Sequence, residues 1–118
     1  MTLDPFTDRL ARVRQRFVST LEGKIEDAYA VIPTLSSVAP AAAPAVAEAY
    51  RCMHGIVGIG PTVGFPAIGR AARDVEDVLR VAQHEKRGLT ADEILAFKKH
   101  LDALRETATR ELQFFHSA

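Results

Sequence analysis

Residues 65–101, FPAIGRAARDVEDVLRVAQHEKRGLTADEILAFKKHL, decide the fold class. Their apolar side chains recur at Phe65, Ile68, Ala72, Val75, Leu79 and Ala82, and again at Ile94, Phe97 and Leu101, in steps of three or four. That is the period of an α-helix with one buried face; a half-buried strand would alternate instead. Pro66 suits a first helical turn, where its missing N–H leaves no bond unmade. Basic residues near His84–Arg87 followed by a glycine read as the close of the helix, with Gly88 as its expected C-cap. Thr90-Ala91-Asp92-Glu93 has the capping-box spacing, Thr at the cap and Glu three residues on, and opens a further helix. Its stripe continues through Leu104, Ala108, Leu112 and Phe115. The stretch is a helical hairpin.

Toward the N-terminus the same spacing persists. Phe6, Leu10, Val13, Phe17, Leu21, Ile25, Ala28 and Ile32 form one stripe. Asp4-Pro5 supplies an N-cap and a first-turn proline, and Pro33 is the expected stop, because the residue before a proline avoids the α region. Such a helix would reach roughly 40 Å, long enough for a split near its start to be considered. Thr34–Ala43 reads as a connection, and a second helix opens between Pro40 and Pro44. Its stripe is Val46, Ala49, Met53, Ile56 and Gly60, with Pro61 as its expected end. Four amphipathic helices with short connections bury their stripes most simply as an all-α, antiparallel four-helix bundle, one domain over residues 1–118.

Composition agrees. A chain of 118 residues, 47% apolar and 25% charged, fits one domain with an ordinary core. Fifteen basic residues balance fifteen acidic ones, so no overall field draws nucleic acid or an anionic membrane. The cluster Arg9, Arg12, Arg14 and Arg16 has acids close by and reads as a solvated face. Cys52 is the single cysteine, and Met1–Arg9 lacks the layout of a secretory signal, which points to the cytoplasm. The weakly polar stretch Val38–Ala49 is mostly alanine, is interrupted by prolines, and is too short to span a bilayer.

The second helix carries a puzzle, because Gly55, Gly58 and Gly60 crowd its last turns and each weakens a helix by up to about 1 kcal/mol. At about 100° per residue, His54 lies roughly 125° from the core direction and projects to solvent. Gly58, one turn on, shares its face, with Arg51 one turn back. Phosphoryl transfer to a ring nitrogen needs an in-line approach, and a bare residue beside the imidazole gives a partner's active site room to enter. A neutral imidazole, with an ordinary pKa near 6.5, is a nucleophile at cellular pH. A zinc site from Cys52 and His54 is disfavoured, since on a helix they point about 200° apart. The glycines do not make a nucleotide loop either: no strand precedes them, and no Lys-Ser/Thr or ribose-binding acid follows.

The run Met53-His54-Gly55-Ile56-Val57-Gly58, then Gly60-Pro61-Thr62-Val63-Gly64-Phe65-Pro66-Ala67-Ile68 and Ala71-Ala72…Glu76, resembles the signature of histidine-containing phosphotransfer (HPt) domains. The resemblance implies a four-helix bundle whose exposed histidine takes a phosphoryl group from a receiver aspartate or a kinase and passes it on. It makes His54 the phosphoacceptor, Gly58 the access glycine and Gly64-Phe65 the turn into the next helix. It also implies response-regulator receivers, and a hybrid histidine kinase, as partners. Mg²⁺ is expected on the receiver, with no cofactor, metal or nucleotide held by this chain. Many members carry Lys three residues after the histidine, where this sequence has Val57; Arg51, Arg70 or Arg73 are the candidates to supply that charge. The missing lysine keeps an alternative open, a helical adaptor or inhibitor that docks on a receiver or kinase without being phosphorylated.

Overall fold

The computed structural model describes residues 4–36 and 41–117. Among them lie five helices and no strand: α1 (Pro5–Ala30), α2 (Ile32–Leu35), α3 (Ala42–Thr62), α4 (Pro66–His84) and α5 (Ala91–Ser117). The four long helices are the expected bundle, and α2 is a single added turn. Ser37–Pro40, part of the expected connection, lie outside the described residues.

Local chemistry explains most of the boundaries. The Asp4 carboxylate accepts a hydrogen bond from the Phe6 N–H, and Pro5 occupies the first turn of α1. The capping box holds in both directions: the Thr90 N–H donates to Glu93 Oε1 at 2.8 Å, and the Glu93 N–H donates to Thr90 Oγ1 at 3.2 Å. Three expected boundaries are corrected. Pro33 does not stop the first helix; α1 ends at Ala30, and Pro33 sits in the first turn of α2, where it lacks no needed donor. The split in the long N-terminal stripe therefore falls at its end. Pro61 does not end α3 but lies inside its last turn, and the helix closes two residues later as the Val63 N–H bonds the carbonyls of Ile59 and Gly60. Gly88 is not the cap of α4. Lys86 takes the left-handed conformation (φ 55°), with its N–H on Gln83 O and the Arg87 N–H on Ala82 O, the paired bonds of a Schellman ending.

The stripes meet in one core that includes Phe17 and Leu21 of α1, Met53 and Ile56 of α3, Leu79 of α4 and Phe97 of α5. The first turns of α1 depart from the expectation: Phe6 and Val13 are exposed, and complete burial of the stripe begins at Phe17. Register explains this. Leu21 and Ile25 border the same groove as Ala108 and Leu112 of α5, and Phe17 stacks on Phe65, which meets Phe115 in the last turns of α5, so the turns of α1 before Phe17 lie beyond most of the cover that α5 gives.

α3 and α4 form the closest pair, antiparallel across the turn Val63–Phe65, where Gly64 has φ +102°. A Cβ on Gly60 would stand 3.3 Å from the Phe65 carbonyl, and one on Gly69 2.6 Å from Pro61 Cγ. Two glycines thus let these backbones approach. Gly60 answers to packing between helices and needs no partner to explain it.

Candidate functional site

Tyr50, His54 and Gly58 follow one another at single-turn spacing on α3, and Glu76 and Arg80 do the same on α4. The tight register of the hairpin sets the two rows side by side. His54 Nδ1 lies 2.6 Å from Glu76 Oε2. The two side chains differ sharply in exposure, 70% for His54 against 4% for Glu76, so a surface imidazole is anchored on a carboxylate at the edge of the core. A buried carboxylate is costly unless its oxygens are bonded. Here both are: Oε2 meets the imidazole and Oε1 meets Arg80 Nη2 at 3.4 Å.

Arg80 also pairs with Asp77 at 2.8 Å. The neighbouring Tyr50 hydroxyl, followed by the charge of Asp77, pushes the Arg80 guanidinium further above the ordinary arginine value. Tyr50 in turn stacks on the His54 ring, with centroids 6.1 Å apart and planes 8° from parallel. With Nδ1 taken by Glu76, Nε2 is the nitrogen that has no partner among the described residues.

The residues singled out from sequence fall as follows. His54 is exposed on α3. A Cβ built on Gly58 meets nothing within 4 Å, so no contact inside the domain requires glycine there. Gly55 is equally open, but sits on a different side of the helix. Arg51 is exposed and ion-paired with Glu48, not brought to His54. Arg70 and Arg73 are exposed on α4, with Arg73 about one turn before Glu76. Ile59 is exposed and Val57 half-buried beside the site. Cys52 is half-buried, and burial pushes its thiol up. His84 is exposed and His100 half-buried; the His116 side chain lies outside the described set. Among the described residues no cluster of His, Cys, Asp or Glu is arranged to hold a metal ion.

Glu76, Tyr50 and Arg80 escaped the sequence reading as site residues. Glu76 did carry a signal: it interrupts the apolar face between Ala72 and Leu79 with a charge. Its partner, 22 positions away on another helix, is visible only once the hairpin register is known.

The Hpt domain family model matches residues 12–107, most of the chain and all of the geometry just described. This chain belongs to the Hpt domain family. No curated protein and no solved structure matches it. Hpt domains serve phosphotransfer in His–Asp relays, working with receiver domains and kinases, and that is the role this Hpt domain inherits. Among its described residues no helix is long and apolar enough to cross a membrane.

Proposed function

We propose that this Hpt domain is a phosphoryl carrier whose acceptor is Nε2 of His54, loaded from a receiver aspartyl phosphate or a kinase and unloaded onto another receiver in the cytoplasm. The observation that carries the proposal is the anchoring of Nδ1 by buried Glu76, which leaves an exposed ring with one nitrogen to offer. With its proton on Nδ1 and directed at Glu76, the ring has its lone pair on Nε2. Attack forms the N–P bond as the bond from phosphorus to the aspartyl oxygen breaks, and the receiver carboxylate leaves with that electron pair. The Nδ1 proton stays in place, and the positive charge that develops on the ring is met by Glu76. No proton has to be lost to solvent.

Gly58 gives the incoming receiver its clearance, and Ile59 and Val57 offer it apolar contact. The Mg²⁺ and most of the charge that stabilises the transferring group belong to the receiver. Its glycines lack the strand, Lys-Ser/Thr and ribose-binding acid of a nucleotide loop, so loading is expected from a partner and not from ATP. Arg51, held by Glu48, is available to the phosphoryl group only if it leaves that pair.

The test is to mix the protein with a receiver phosphorylated on aspartate. Label that survives base but not acid should appear on wild type and be absent from His54→Gln. An unlabelled wild type, or equal label on the variant, overturns the proposal. The adaptor alternative, motivated by Val57, predicts a different pattern: His54→Ala would keep both partner binding and signalling.

A further inference from the structure

Four side chains close a ring across the α3–α4 seam. His54 contacts Glu76, Glu76 contacts Arg80, the Tyr50 hydroxyl acts on the charge of Arg80, and the Tyr50 ring lies parallel to the His54 ring. Each helix contributes two members one turn apart, so the register of the hairpin brings the four together. The geometry points to Arg80 as a positioning residue that acts through Glu76 to set how tightly His54 holds its proton, and hence the pH range over which the histidine is a nucleophile. This rests on His54 being the phosphoacceptor.

The physical case is a division of one negative charge. Glu76 is almost fully buried, so water screens it little, and the two cation-capable partners compete for its field. Arg80 is charged at all pH values of interest. It takes part of that field and, as a nearby positive charge, also opposes a second positive charge on His54. Removing it leaves the carboxylate to the imidazole alone. It also releases Asp77, whose charge Arg80 now covers at 2.8 Å. All three consequences have the same sign: the protonated ring is favoured.

The other charged groups near His54 do not take over this role. On α3, Arg51 is paired with Glu48, and on α4, Arg73 is exposed about one turn before Glu76. The Tyr50 hydroxyl favours the charged Arg80 from the opposite helix, so its loss should act in the same direction, only less.

The experiment follows the His54 ring protons by NMR during a pH titration, in wild type, Arg80→Gln, Arg80→Lys and Tyr50→Phe. The expected result is a titration midpoint raised by about half a unit or more in Arg80→Gln, a smaller rise in Tyr50→Phe, and recovery of at least half the shift in Arg80→Lys. The pH profile of phosphoryl acceptance should move with it. A midpoint that stays put or falls in Arg80→Gln overturns the assignment. If that variant does not fold, an unmoved midpoint in Tyr50→Phe does so. The titration needs no receiver, so its outcome is separate from that of the labelling test: a wild type that takes no label removes the carrier role, whereas an unmoved midpoint removes only Arg80.

Discussion

At the residue scale, glycines in the α3–α4 hairpin differ in what surrounds them: Gly58 faces open space and Gly69 a close neighbour. Gly58 lies in an exposed helix interior with open space where its Cβ would be, so Gly58→Ala should stabilise the fold by up to about 1 kcal/mol through helix propensity alone. Gly58→Leu should leave a fold at least as stable as wild type, read by urea unfolding. On the proposed access role its phosphoryl acceptance from a receiver should fall at least about tenfold, roughly 1.4 kcal/mol of barrier, because the new side chain would fill the space left for the partner. Normal transfer by the leucine variant would refute the access role. Gly69→Ala is the converse. Its methyl would fall 2.6 and 2.7 Å from two atoms of the Pro61 ring, which cannot swing aside. A loss of about 1–3 kcal/mol is expected, and an unchanged denaturation midpoint would show that α3 and α4 have slack at this contact.

At the scale of the element, the ends of α4 and α5 are held by chemistry that can be titrated or replaced. Arg87 pairs with Glu93 through two bonds, Nη1 to Oε1 at 2.7 Å and Nη2 to Oε2 at 3.1 Å, while Glu93 also closes the capping box. Hydrogen bonding to Arg87, outweighing partial burial, holds the Glu93 carboxyl at about 2, below its ordinary 4.5. A carboxylate depressed on folding contributes stability that is fully present above its unfolded value, near 4.5, and is lost as pH falls through its folded value, near 2. Glu93→Gln should therefore be less stable than wild type by about 1 kcal/mol at neutral pH. The gap should close between roughly pH 4.5 and 2, as followed by thermal melts. A gap that persists at pH 2 would assign the loss to packing. Lys86 is the opposite case, a non-glycine residue at φ 55°. Glycine is at ease in that region, so Lys86→Gly should raise stability by about 0.5–1 kcal/mol, and a destabilised variant would mean that the lysine makes a contact that outweighs its backbone strain.

At the scale of the whole molecule, what could be read in the sequence was what repeats along one helix. The four stripes, the Asp4-Pro5 start and the Thr90–Glu93 box are local patterns; the start and the box appear where their spacing put them, and the stripes supply the core except at the far ends of the first and last, where Phe6, Val13 and Phe115 are exposed. His54 was visible because its own helix supplies both its direction and its open neighbour. The anchoring of that histidine was not visible, since Glu76 and Arg80 reach it through the register of a hairpin. Nor was the exposure of Phe6 and Val13, since a stripe records which face is apolar without recording how far a partner helix extends along it. That exposure has a dynamic consequence. Helical hydrogen bonds open most easily where little apolar contact closes over them. Residues 9–14 of α1 have their bonds inside the helix but little cover, whereas residues 50–57 of α3 are braced by α4 and include the fully buried Met53 and Ile56. Amide hydrogen exchange should therefore be at least about tenfold faster over 9–14 than over 50–57, a difference of roughly 1.4 kcal/mol in opening free energy. The helix that presents His54 would then stay closed while the start of α1 frays. Equal protection of the two segments would mean that α1 is clamped along its whole length, and that the bundle opens only as a unit.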